Sequence, residues 1–162
     1  MSDGSSRHSV ATAAVEASTA EQARRRREVH VRHFETLAVI AVGGALGACA
    51  RYAATLLWPT GKDAFPWTTL GVNAVGCLII GVFLVAITEG FTVHRLLRPF
   101  FGTGVLGGFT TFSTYCVDIE RLARADRAGA ALVYLASTVL VALAAAKIGM
   151  VATRRILARR GM

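Results

Sequence analysis

"AFPWTTLGVNAVGCLIIGVFLVAIT", residues 64–88, runs for 25 residues without a charge. A hydrocarbon core about 30 Å thick takes roughly 20 helical residues, so this stretch is long enough to cross a bilayer by itself. Three further windows share its character: residues 36–57, 99–117 and 128–146. The last two hold 19 uncharged residues each, and the first carries one charge, Arg51, near its far end. None has the polar face at helical spacing that a water-exposed helix requires. The four windows predict an all-α integral membrane protein with four transmembrane helices.

The domain organisation follows from where the charges stop. Residues 1–35 read as a basic N-terminal extension, its first part Ser- and Ala-rich and expected to be disordered. Ser18 and Glu21 have capping-box spacing for a short helix leading to the membrane. Residues 36–151 form the four-helix transmembrane domain, and residues 152–162 a basic tail. The extension is too polar for a signal peptide, so the first span is expected to be retained.

The net charge of +8 comes mainly from "RRRREVHVRH" before the first span and "RRILARR" after the last. Basic segments beside spans bind anionic headgroups and orient the chain. No aromatic residues interleave with the arginines to stack bases, so no nucleic acid is expected as a partner; membrane lipids are. Four spans put both termini on one side. That side has six basic residues in the extension, two in the second link and five from Lys147 onward, against four opposite. Cytoplasmic termini follow. Cys49, Cys77 and Cys116 fall one in each of the first three windows, a spacing for neither disulfides nor zinc.

The third window carries the chemistry. In "GVLGGFTTFSTYC", residues 104–116, Gly107-Gly108 followed by Thr110-Thr111 is poor helix material. A break there, mid-membrane, leaves backbone groups that membrane proteins tolerate only beside a cavity or ion. Exposed carbonyls suit a cation, and amides at a half-helix N-terminus suit an anion. Phe112 can turn its positive ring edge to a small anion. The hydroxyls of Ser113 and Thr114 either replace lost water or bond back to their own helix. Asn73 is the strongly polar side chain of the second window. It either joins helices or offers its amide donors to an anion. Tyr134 and Thr138, four apart, share one face of the fourth window. In the first window, Gly43 and Gly47 allow close helix approach, and Arg51 is read as capping carbonyls or snorkelling.

No Asp or Glu lies within the four windows, so the coupling carboxylate of a pump is lacking. No nucleophile–base pair suggests an enzyme. Passive conduction is the activity these features favour.

"GGALGACARY", "TLGVNAVGCLIIG" and "GGFTTFSTY", in that order on a four-span chain, resemble the Fluc family of fluoride channels, also called CrcB. The resemblance covers roughly residues 40–140. It implies a fluoride-selective channel of the cell membrane that passively exports cytoplasmic fluoride and so reduces its toxicity. It further implies an antiparallel, dual-topology dimer with two pores, each built from both subunits. The dimer would be a homodimer or a heterodimer with a paralogue. A structural Na+ at the dimer interface would be held by the backbone carbonyls of Gly107 and Thr110. The fluoride pathway would run past Asn73, Phe112, Ser113, Thr114, Tyr115, Tyr134 and Thr138. Two positions depart from the family pattern: Tyr115 stands where a second phenylalanine is usual, and Ala142 offers no hydroxyl beyond Thr138. A small multidrug-resistance-type dual-topology transporter has similar size and span number, but it needs a glutamate in the first span. A non-conducting scaffold accounts for the glycine spacings, not for the TTFST cluster.

Overall fold

The computed structural model describes the backbone of residues 3–61, 64–90, 94–159 and 161; within the first helix, side chains are described at 21, 24 and from 30 onward. Lys62, part of the charge count above, and the side chains of Arg25, Arg26 and Arg27 lie outside the described residues. Five α-helices are described: α1 (Asp3–Leu57), α2 (Trp67–Val85), α3 (Leu106–Phe109), α4 (Ser113–Arg124) and α5 (Ala128–Arg159). Two π-helical segments, Ala86–Gly90 and Arg98–Val105, follow α2 and precede α3. Among the described residues there is no strand.

The chain divides into two compact units, Met1–Ala38 and Val39–Met162. The first is helical from Asp3 onward, where disorder was expected for its early residues. Five alanines between residues 11 and 20 explain the difference, since alanine has the strongest helix preference. Ser18 and Glu21 accordingly stand inside α1, not at its start.

The second unit holds the membrane architecture. Three helices are long and apolar enough to cross a bilayer: His30–Leu57, Trp67–Glu89 and Ala128–Arg159. Their outward faces are apolar, with Leu46, Val75, Leu132 and Leu140 exposed, as lipid or a partner would require. The buried core is small and centres on Tyr115, Leu122, Ala131 and Tyr134. The third apolar window is not one long helix. It is π-helical over Arg98–Val105, α-helical over Leu106–Phe109, non-helical over residues 110–112, and helical again from Ser113. The basic tail does not form a separate segment, because α5 continues through it to Arg159.

Glycines set the spacing between these elements. A Cβ on Gly47 would meet the carbonyl of Val105 and the amide of Phe109, and one on Gly108 would meet the backbone of Gly44. The first span and the interrupted segment therefore touch backbone to backbone. Gly81 and Gly149 bring α2 and α5 equally close, each against a carbonyl of the other helix.

Candidate functional site

The interruption begins where Thr110 turns extended, at φ −76 and ψ 157. Two glycines and two β-branched threonines offer little resistance to that turn. What stabilises it comes from α2. The Asn73 side chain donates from Nδ2 to the Thr111 carbonyl at 2.9 Å and accepts the Thr111 amide on Oδ1 at 2.8 Å. Asn73 is thus a two-point clasp on the backbone of residue 111, much as a neighbouring strand would be. An amide carries two N–H groups, and the clasp uses one of them.

A second diversion sits one turn on. The Thr114 amide donates to Thr111 Oγ1 at 3.2 Å, and Thr111 Oγ1 donates to Thr114 Oγ1 at 3.0 Å. The Ser113 hydroxyl lies 3.3 Å from the same Thr111 oxygen. In an unbroken helix the amides of residues 111 and 114 would bond the carbonyls of residues 107 and 110. Both amides are turned to side chains instead. The carbonyls of Gly107 and Thr110 consequently lose their helical donors. Gly107 is exposed, with no heavy atom within 4 Å of where a Cβ would stand. Between them, the Gly108 carbonyl accepts from Arg51 Nε at 3.1 Å, so Arg51 caps the break from the first span. Among the described residues no cluster of His, Cys, Asp or Glu could hold a metal ion. The donor set that fits a cation is therefore backbone oxygen, and unwound carbonyls suit Na+.

Beside the break lies a groove of about 370 Å3 lined by Asn73, Gly76, Cys77, Ile80, Thr110, Thr111, Phe112, Tyr115, Thr138, Val139, Ala142 and Leu143. None of these side chains is charged. The groove brings together four expected pathway residues: Asn73, Phe112, Tyr115 and Thr138. Ser113 and Thr114 do not line it; their hydroxyls are engaged with Thr111. Tyr134 stands behind Tyr115, fully buried at 0% exposure. Phe112 is 76% exposed, so its ring faces out of this chain. Phe112, Tyr115, Tyr134 and Phe65 form a file of rings, with successive centroids 5.7, 5.4 and 5.4 Å apart. The Tyr115 hydroxyl donates to the Leu135 carbonyl at 3.0 Å, which turns its polar end away from the groove mouth. Thr138 Oγ1 is buried near the Tyr134 hydroxyl, and among the described residues it makes no hydrogen bond of normal geometry.

One functional candidate is a carboxylate that the four windows leave out: Asp118, the residue after the third window, is 8% exposed. Its Oδ2 accepts from Thr69 Oγ1 at 2.7 Å and from the Tyr134 hydroxyl at 3.4 Å. Arg121 lies 3.5 Å from the other oxygen. Thr114 and Asp118 are four apart within α4, which places Asp118 on the face of that threonine. That periodicity was the signal available in the sequence.

Long apolar helices with an uncharged, hydroxyl-lined groove between them define a multi-pass membrane protein. The family model described as "CrcB-like protein, Camphor Resistance (CrcB)" matches residues 38–150. The chain belongs to the CrcB family. It is 61% identical over 121 residues to "Fluoride-specific ion channel FluC 1" of Streptomyces coelicolor, covering 75% of this chain and 79% of that relative. It is 59% identical over 136 residues to "Fluoride-specific ion channel FluC 2" of Streptomyces avermitilis, covering 84% and 86%. A second protein of that organism, "Fluoride-specific ion channel FluC 3", is 41% identical over 124 residues, covering 76% of this chain and 61% of the relative.

Proposed function

We propose that this chain is a fluoride-selective channel that lets cytoplasmic fluoride leave the cell passively across the cell membrane. The observation that carries the reading is the uncharged groove at the helix break, whose polar groups are all neutral donors and acceptors. A small anion that sheds water there meets the free Asn73 N–H, the Phe112 ring edge and the Thr138 hydroxyl. Relatives named as fluoride-specific channels support the choice of ion.

The finer architecture is part of the same proposal. The interrupted segment is the third of four spans, broken in mid-membrane, and the two termini of a chain share one side. Two chains pair antiparallel, as a homodimer or with a paralogue. The exposed Phe112 and the open side of the groove support this, because an ion held there needs a second wall. The occurrence of FluC 2 and FluC 3 in one organism supports the paralogue alternative. Na+ is held at the interface by the carbonyls of Gly107 and Thr110, for which the diverted amides are the support. A resident cation there supplies fixed positive charge near the anion path. The chain's own part is to keep those two oxygens turned outward through Asn73 and Thr111.

Fluoride that enters as neutral HF dissociates in the neutral cytoplasm and is trapped there as the anion; a membrane potential negative inside then drives it out through a passive pore, and no coupled ion is required. The test is efflux from liposomes containing the purified chain, alone and with a paralogue. Release of fluoride without chloride is expected. Vesicles tight to fluoride in both preparations would overturn the proposal.

A further inference from the structure

The C-terminal half of α5 carries a second groove, of about 370 Å3, lined by Ala144, Lys147, Ile148, Val151, Ala152 and Arg155. It lies away from the break and shares no residue with the groove there. Ala144 and Ala152 leave a furrow along the helix, walled by Ile148 and Val151. Its two ends of interest are cationic, and no acid lines it. Neighbouring Arg154 is committed elsewhere, to Glu89, through Nε at 2.9 Å and Nη2 at 2.8 Å. Among the described residues no carboxylate pairs with Lys147 or Arg155.

The position of these cations along the span is informative. Residues 128–146 are uncharged, and those 19 residues rise about 28 Å as a helix, close to the thickness of the hydrocarbon layer. Lys147 therefore stands at the hydrocarbon boundary. Arg155 is two turns beyond it, about 12 Å further along the axis. The headgroup phosphates of the leaflet fall between the two. A lysine snorkels outward from such a boundary, toward the same layer that Arg155 reaches.

We propose that this groove is a binding site for one anionic phospholipid, its phosphate held between Lys147 and Arg155 beside Val151 and Ala152, and an acyl chain running from Ile148 inward past Ala144. Charge complementarity selects this occupant over a second copy of the chain. The carboxylates of Asp118, Glu89 and Glu120 are held by arginines of their own chain, so these three are not available to bridge to a second copy. A lipid supplies both the anion and the apolar chain that the furrow accepts. The site holds lipid on the side where the termini lie, and so adds to the orientation set by the basic segments.

The experiment is native mass spectrometry of the full chain, purified and exchanged into detergent with phosphatidylglycerol or phosphatidylcholine. One tightly retained phosphatidylglycerol per chain is expected, with phosphatidylcholine retained no better than detergent. In Lys147→Gln/Arg155→Gln, retention should weaken roughly 30-fold, from two headgroup contacts of the usual strength. The charge-matched control Arg124→Gln/Arg95→Gln should leave it unchanged. Ala152→Leu, which fills the furrow and keeps both cations, should also weaken retention. Equal losses in the control pair would assign the effect to bulk charge and overturn the site. So would retention unaffected by Ala152→Leu, displacement of the lipid by inorganic phosphate, or a change of oligomeric state in Lys147→Gln/Arg155→Gln. Melting in phosphatidylcholine should be equal for all variants, with only the gain on adding phosphatidylglycerol lost.

Discussion

Replacing Asn73 separates its two contributions, the clasp on residue 111 and the neutrality of the groove. Asn73→Ala removes both hydrogen bonds and leaves the Thr111 amide and carbonyl without partners in a part-buried setting. Each unpaired group costs about 1–3 kcal/mol, so the break loses about 2–6 kcal/mol of stabilisation. Asn73→Asp keeps the acceptor for the Thr111 amide, but it turns an ionised oxygen toward the Thr111 carbonyl at a buried position, at a cost of at least about 1–3 kcal/mol, that of the lost donor. It also sets a negative charge on the groove wall. For an anion about 5 Å away at an effective dielectric near 20, the repulsion is about 3 kcal/mol, roughly a 200-fold fall in passage. Both variants should therefore lower thermal stability, and Asn73→Asp should lower fluoride efflux more per folded protein. Efflux is read with a fluoride electrode on liposomes, and stability from the melting of the same preparation in detergent. If Asn73→Asp conducts at the wild-type rate while Asn73→Ala melts unchanged, neither the clasp nor the neutral wall matters.

Adjacent glycines should give opposite outcomes. Gly108→Ala drives a methyl into the Gly44 backbone and should abolish the folded channel, whereas Gly107→Ala points into open space and should fold, as judged by size-exclusion profiles. Asp118→Ala leaves the Thr69 and Tyr134 hydroxyls without their acceptor and should cost about 1–3 kcal/mol of stability; Asp118→Glu, which keeps the carboxylate, should recover part of the melting temperature. Tyr115→Phe removes the bond to the Leu135 carbonyl but keeps the ring, so stability should fall by about 1 kcal/mol with fluoride efflux within a few-fold of wild type. Efflux abolished in that variant would make the hydroxyl itself part of the path.

The apolar windows were readable because membrane crossing depends on length and charge, which are properties of consecutive residues. Three of them correspond to long helices whose ends differ from the windows by a few residues or extend into the polar flanks. The position of the interruption was equally local: glycine pairs and β-branched threonines weaken a helix wherever they stand. The partners were not local. Asn73 finds Thr111 thirty-eight positions away, and Arg51 finds Gly108 fifty-seven away. No periodicity within one helix contains that register, so the alternatives for Asn73 stayed open in the sequence. Asp118 shows the same limit: counting charges by window says only that it follows the third window, while the helical face it occupies turns it inward against α2 and α5.

Breaking a helix in hydrocarbon exposes amides and carbonyls together, and each kind must be answered or used. Side chains answer both kinds here: the amides of Thr111 and Thr114 bond Asn73 Oδ1 and Thr111 Oγ1, and the carbonyls of Gly108 and Thr111 accept from Arg51 and Asn73. The carbonyls of Gly107 and Thr110 have lost the helical donors that residues 111 and 114 would supply. Carbonyls freed in this way suit a cation, and the Na+ site proposed above rests on that property. The two-point bond to residue 111 gives a polar asparagine a part to play in a span where leucine would cost nothing to bury.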